Sequence, residues 1–316
     1  MSLFSLISRC ILLFLLTSRL LNAQSAQPFA PSKQARGYDF SLIPFFNTLT
    51  KGLSNIVPPR GGIAKPTEAQ LLKFKRYYKL SCAAYCDSIY EENHWTCRHC
   101  LESIPNGVLE GTFHDRVYDI KGFVARSDHD KVIYLVFRGS ASVTNYVADL
   151  VFLYDRYPGV SGAYVHQGFY TSYGGIRDKF KPIVERVKDE YPSYKIVITG
   201  HSLGGALSIY AAMELYESNP LKFGSNSTEV YTFGSPRLGN DVFAKYVANT
   251  GIFISRTVHK NDFVPQTPRV SQGYLHVGIE SFIYEDPDQI RICTSVLESS
   301  LCGILFDIRS AIDHVE

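Results

Sequence analysis

Gly200-His201-Ser202-Leu203-Gly204 sets one hydroxyl between two residues that lack side chains, the G-x-S-x-G arrangement in which a serine can act as a nucleophile. Chance alone would supply roughly 0.1 such matches in a chain of this size, since Gly and Ser are each near 7% of residues in ordinary proteins. The flanks add what the pentapeptide lacks. Lys195-Ile-Val-Ile-Thr199 reads as a buried strand and Leu203 opens a helical pattern, so the serine falls on a sharp strand-to-helix turn. Strain at such a turn lifts the hydroxyl clear of the sheet. The first helical N–H groups, that of Leu203 foremost, then face a developing oxyanion.

A serine hydroxyl is a weak nucleophile until a histidine takes its proton, and a carboxylate must hold that imidazole in the right tautomer. After an elbow of this kind the acid and then the histidine follow in chain order. Asp262, in His259-Lys-Asn-Asp-Phe-Val-Pro265, comes just after a strand ending at Val258. Asp241 is a rival, but Gly239-Asn240-Asp241 looks like a helix start, where capping explains it. Two histidines lie beyond Asp262. His276 sits in a stretch that alternates like a strand and suits a structural role, whereas His314 lies past the last strand on a terminal loop. Position favours His314 and leaves His276 as the alternative.

The elements that must position these groups follow one pattern. Thr67 with Gln70 forms a capping box ahead of a helix whose Leu71, Phe74, Tyr78, Cys82 and Tyr85 share a face. Val132–Phe137 is a continuous apolar run, as in a strand buried on both faces. Helices are expected at 180–190, 203–217 and 241–249, and strands at 195–199, 230–233 and 253–258. Strands alternating with helices over some 250 residues predict one α/β domain around a mostly parallel central sheet with helices on both faces.

Residues 1–23 differ in kind. Arg9, the apolar run Cys10–Leu16 and Leu21-Asn22-Ala23 have the layout of a secretory signal peptide, too short to span a bilayer comfortably. Residues 24–62, punctuated by five prolines and Gly61-Gly62, read as a pro-segment or disordered arm, and 63–316 as the folded domain. Export into an oxidising compartment suits the cysteines, and Cys97-Arg-His-Cys100 reads as a local disulfide rather than half a metal site. Asn226-Ser-Thr228 is a glycosylation sequon in a Gly/Ser/Asn-rich loop. The 32 basic and 30 acidic residues leave a formal charge of +2 with no basic run, which gives no ground for a nucleic-acid partner.

Together these motifs resemble the filamentous-fungal class 3 lipases, the α/β-hydrolase group that includes the Rhizomucor and Rhizopus enzymes and related feruloyl esterases. The likeness runs from about Gly62 to the C-terminus. It rests on Phe137-Arg-Gly-Ser140, Thr199-Gly-His-Ser-Leu-Gly-Gly-Ala206, Gly234-Ser-Pro-Arg-Leu-Gly-Asn240, Arg256-Thr-Val-His-Lys-Asn-Asp-Phe-Val-Pro265, Gly273-Tyr-Leu-His276 and Ile312-Asp-His314.

The resemblance implies that Ser202, Asp262 and His314 form a triad and that Ser140 supplies a second oxyanion contact beside the Leu203 amide. It implies a second bridge, Cys293–Cys302. It also implies a short helical lid, and Val143, Tyr146, Val147 and Leu150 do recur at helical spacing, with Asp149 placed to bond Ser140 when the lid opens. Without the resemblance a plain packing helix would explain that spacing equally well. The family's chains continue past the histidine to a cysteine that pairs with the position of Cys86. Here Glu316 ends the sequence, so Cys86 is expected to lack that partner and His314 to fray.

The expected activity is hydrolysis of acylglycerol esters at an oil–water interface by a secreted, extracellular monomer. It needs no metal or organic cofactor and no stable membrane insertion. The alternatives are a feruloyl or other carboxylic esterase on the same scaffold and a catalytically silent lipid-binding protein.

Overall fold

The computed structural model describes residues 62–140, 153–285, 289–298, 302 and 312–315. The expected signal peptide, all of the arm but Gly62, and the expected lid residues Val143, Tyr146, Val147, Asp149 and Leu150 lie outside the described residues.

In chain order the elements are β1 (Ile63–Ala64), α1 (Glu68–Ala83), α2 (Asp87–Glu91), α3 (Arg98–Ser103), β2 (Val108–Asp115), β3 (Ile120–Ser127) and β4 (Val132–Phe137). Then come β5 (Tyr154–Arg156), β6 (Tyr164–His166), α4 (Gln167–Glu190), β7 (Lys195–His201), α5 (Leu203–Ser218), α6 (Pro220–Phe223), β8 (Thr228–Phe233) and β9 (Gly239–Asn240). The last are α7 (Asp241–Asn249), β10 (Phe253–His259), β11 (Tyr274–Leu275), β12 (Ile279–Glu285), β13 (Gln289–Cys293) and α8 (Ile312–Val315).

The main sheet runs β1-β13-β12-β10-β8-β7-β4-β3-β2. Its centre, β4, β7, β8, β10 and β12, is parallel, as the buried apolar runs predict. Its flanks are not. β2–β3–β4 and β12–β13–β1 are antiparallel, with short turns linking β2 to β3 and β3 to β4, which the helix-strand alternation did not reveal. A smaller sheet, β11-β9-β6-β5, lies beside it.

Helices cover both faces. On one, Phe169, Phe180 and Val184 of α4, Leu207 and Tyr210 of α5 and Phe243 of α7 pack against Leu135, Ile198 and Val230. On the other, Phe74, Tyr77 and Leu80 of α1 cover Tyr134, Val197 and Tyr231. Thr67 caps α1 through the full capping box with Gln70.

Three details differ from the sequence reading. α4 begins at Gln167, not near Phe180, and runs through Gly174-Gly175. Asp115 lies 3.0 Å from where a Cβ on Gly175 would stand, so the glycine lets the helix approach β2. Asn240 rather than Asp241 caps α7, its side chain accepting from the Phe243 N–H, and Asp241 is the exposed first helical residue, paired with Lys245. Gly62 already belongs to the folded domain, since it exchanges hydrogen bonds with Thr294 at the sheet edge.

Among the described residues no helix is long and apolar enough to cross a membrane, and no group of three or more His, Cys, Asp and Glu is placed to hold a metal ion.

Candidate active site

Ser202 follows β7 and precedes α5 with φ 55° and ψ −126°, a backbone conformation that a residue with a Cβ adopts only under constraint. Close packing supplies the constraint. A Cβ on Gly200 would stand 2.3 Å from the Gly204 backbone, and one on Gly204 would stand 2.4 Å from the Phe137 carbonyl. The turn can therefore be this tight only with glycine at both positions. Leu203, as first residue of α5, turns an N–H without an intrahelical acceptor toward the serine. On the neighbouring strand end, the Gly139 Cα side faces Ser202, whose Cβ lies 3.3 Å from a would-be Gly139 Cβ.

Asp262 leaves β10 through a turn with Lys260 at φ 40° and is 2% exposed. Its Oδ1 accepts from the Val264 N–H at 2.9 Å. Both carboxylate oxygens receive the Nδ1–H of His314, at 2.9 and 2.8 Å. A carboxylate only accepts, so the proton sits on Nδ1 and Nε2 presents a lone pair. Nε2 is buried and has no hydrogen-bond partner among the described residues. The aspartate–histidine contact is thus made, while no hydrogen bond joins His314 Nε2 to Ser202.

Ser202 and His314 flank the same turn. The Ser202 N–H donates to the Phe233 carbonyl at 2.8 Å, and a Cβ on the next residue, Gly234 (φ 58°), would lie 2.9 Å from His314 Cε1 and 3.0 Å from Asp262 Oδ2. β7, β8 and β10 are consecutive in the sheet, so serine, glycine and aspartate occupy three adjacent strand ends.

His201 is buried, and burial beside His314 pushes its imidazole down to about 3, leaving it neutral. Its ring lies 4.7 Å from that of His314. His276 is also buried, with Nε2 donating to the Pro265 carbonyl at 2.8 Å, and it bears on the loop after Asp262 rather than on Ser202. The same loop is held by Arg237, whose backbone N–H donates to the Thr267 carbonyl and whose side chain donates to the Pro268 carbonyl and pairs with buried Glu298. Burial pushes Glu298 up, but its bonds to Arg237 outweigh this and bring it down to about 2. The sequence reading gave Arg237, Glu298 and His201 no such part. The Arg in Gly234-Ser-Pro-Arg237 was visible, but no local signal names a partner 61 residues away.

Among the described residues the cysteines form Cys97–Cys100 and Cys293–Cys302, with Cα separations of 5.0 and 6.2 Å, and leave Cys82 and Cys86 free. Burial raises the Cys86 thiol to about 11, which makes it a poor nucleophile. Asn226 is exposed in the turn between α6 and β8.

The class 3 lipase family model matches residues 134–272. The lipase of Rhizopus niveus is 40% identical over 263 residues, 83% of this chain and 67% of that protein. A solved triacylglycerol lipase whose catalytic centre is described as a serine protease triad superposes with a TM-score of 0.77 at 40% identity, over 80% of this chain and 96% of the other. The Rhizomucor miehei lipase in complex with its propeptide does so with a TM-score of 0.77 at 39% identity, over 80% and 81%. A strained serine between strand and helix, a buried aspartate–histidine pair facing the same turn, and identity at this level over four-fifths of the sequence agree on one conclusion: the chain belongs to the class 3 lipases, which are carboxylic ester hydrolases.

Proposed function

We propose that this lipase is secreted and cleaves acylglycerol esters through an acyl-enzyme on Ser202. His314 Nε2 takes the serine proton as Oγ adds to the ester carbonyl, and Asp262 stabilises the imidazolium that results. The carbonyl oxygen becomes an oxyanion held by the Leu203 N–H and by Ser140. Losing one such donor typically costs about 2.7–4 kcal/mol of transition-state stabilisation. Collapse breaks the ester C–O bond, and His314 returns its proton to the departing glycerol oxygen. A water then repeats the sequence on the acyl-enzyme and frees the fatty acid and Ser202.

The observation that carries this reading is the buried Asp262–His314 pair, which fixes the tautomer that leaves Nε2 bare beside the elbow. The open gap to Ser202 suits a resting enzyme, where catalytic hydrogen bonds are often long and tighten on substrate. Ser202→Ala is expected to abolish hydrolysis of an emulsified triglyceride. A variant that kept the activity would overturn the assignment.

The segment with Val143, Tyr146, Val147, Asp149 and Leu150 is proposed as the lid, on its helical apolar spacing, and activity should then rise when a short-chain ester passes from solution to emulsion. Residues 1–23 are proposed as the signal peptide, 24–61 as a pro-segment, one residue shorter than the sequence suggests, and Asn226 as the glycan site. The two disulfides and the exposed Asn226 favour that route. The enzyme is proposed to act as a monomer on lipid at the interface.

A further inference from the structure

The base of this site is carried by α8, only four residues long, too short to hold its own shape. Asp313 and His314 border a largely apolar cleft that opens to solvent, lined with them by Leu71, Phe74, Tyr78, Phe233, Ile283 and Ile290. Two successive carbonyls of the turn are gripped by imidazoles that line the same cleft. His201 Nε2 bonds to the His314 carbonyl at 3.1 Å, and His259 Nδ1 bonds to the Asp313 carbonyl at 2.9 Å. The Asn261 N–H adds a bond to Asp313 Oδ2 at 3.2 Å.

We propose that His201 and His259 are positioning residues, a pair of imidazoles that hold the backbone of residues 313–314 so that the His314 ring meets both Asp262 and Ser202. The proposal rests on the reading of His314 as the base.

Each grip comes from a residue joined by chain to the machinery it serves. His201 precedes Ser202 directly, and His259 ends the strand whose following turn carries Asp262. The clamp thereby ties the base to the backbones of nucleophile and acid. The tautomers are fixed because a carbonyl can only accept. His201 carries its proton on Nε2, and its bare Nδ1 accepts from the Tyr85 hydroxyl at 3.2 Å. His259 carries its proton on Nδ1. The two imidazoles thus donate through opposite nitrogens.

That opposition gives the test. A glutamine amide places an N–H near the imidazole Nε2 position, and an asparagine amide places one near Nδ1. His201→Gln and His259→Asn should each keep kcat on p-nitrophenyl butyrate within about fivefold of the wild type. His201→Asn and His259→Gln should each lower kcat about 100-fold, with KM within twofold, because a base displaced by about 1 Å costs on that order. Thermal midpoints are measured for all four variants, and phosphonate labelling of Ser202 should slow in parallel with kcat.

If Asn and Gln act alike at both positions, or if kcat follows the thermal midpoint, the clamp is refuted. Either position decides alone should variants at the other fail to fold. His314→Ala separates this from the underlying assignment. Should it retain hydrolysis, the base reading fails; should it lose hydrolysis while the crossed pattern is absent, only the clamp fails.

Discussion

Gly234 sits where an added methyl group would meet the Asp262–His314 pair first. A Cβ there would stand 2.9 Å from His314 Cε1, 3.0 Å from His314 Nδ1 and 3.0 Å from Asp262 Oδ2. Carbon contacts relax toward about 3.5–4.0 Å, so Gly234→Ala must push the imidazole or the carboxylate by about half an ångström or more. Against the rule that about 1 Å of misplacement costs on the order of 100-fold, kcat should fall roughly 10- to 100-fold. Stability should change far less. Holding alanine at φ 58° costs about 1–2 kcal/mol, partly offset by the smaller freedom of the unfolded chain. A loss near 1 kcal/mol leaves a domain of ordinary stability almost wholly folded.

Gly251→Ala supplies the matched control. Its φ of 72° carries the same penalty, yet the nearest atom to its Cβ is Ser225 Cβ at 3.5 Å, an ordinary contact far from the triad. Both variants should lose similar stability in urea titration, and only Gly234→Ala should lose turnover on a soluble ester. Equal turnover in the two, or a loss at 234 that tracks the unfolded fraction, would refute the reasoning that this glycine keeps space for the Asp–His pair.

Two further outcomes follow from buried polar groups. Burial holds His166 down to about 4 and His201 to about 3, so below about pH 6.5 the unfolded chain binds protons that the folded chain refuses, and stability falls as pH drops. Each should withdraw about 1.5 kcal/mol between pH 6.5 and pH 5, read as a lower urea midpoint; a midpoint unchanged over that range would contradict the burial argument. Arg237→Met should cost about 3–5 kcal/mol, because it strands the buried Glu298 carboxylate, and adding Glu298→Leu should restore much of it. Unequal effects of this kind in a double-mutant cycle measure the pair; simple additivity would show that it contributes nothing.

Local chemistry was legible in the sequence and long-range chemistry was not. Ser202 and Asp262 announce themselves because strand, turn and flanking glycines are encoded within a few residues of each. Thr67-Gln70 and the apolar run Val132–Phe137 were legible for the same reason. His314 lacked such a signal, since four helical residues show no periodicity, and position alone left His276 in contention. The start of α4 was hidden because Gly174-Gly175 reads as a break until Asp115 is seen against the helix. The clamp was invisible in principle: its bonds join residues 113 and 54 positions apart, and neither imidazole differs locally from a surface histidine.

The sheet itself explains why the base must come from elsewhere in the chain. β7 delivers Ser202 and β10 delivers Asp262, with β8 between them. Two strand spacings separate the outer pair by roughly 10 Å, too far for a direct hydrogen bond of about 2.8 Å. A ring with a nitrogen at each side can bridge that gap only by lying over the end of β8. The residue there must then have no side chain, and it is Gly234. An imidazole carried by one of the three strands would approach along the sheet, whereas one brought down from α8 lies across it. The serine and the acid are therefore built into the sheet, and accuracy in the third member depends on how α8 is docked, which is why hydrogen bonds to its carbonyls bear on turnover.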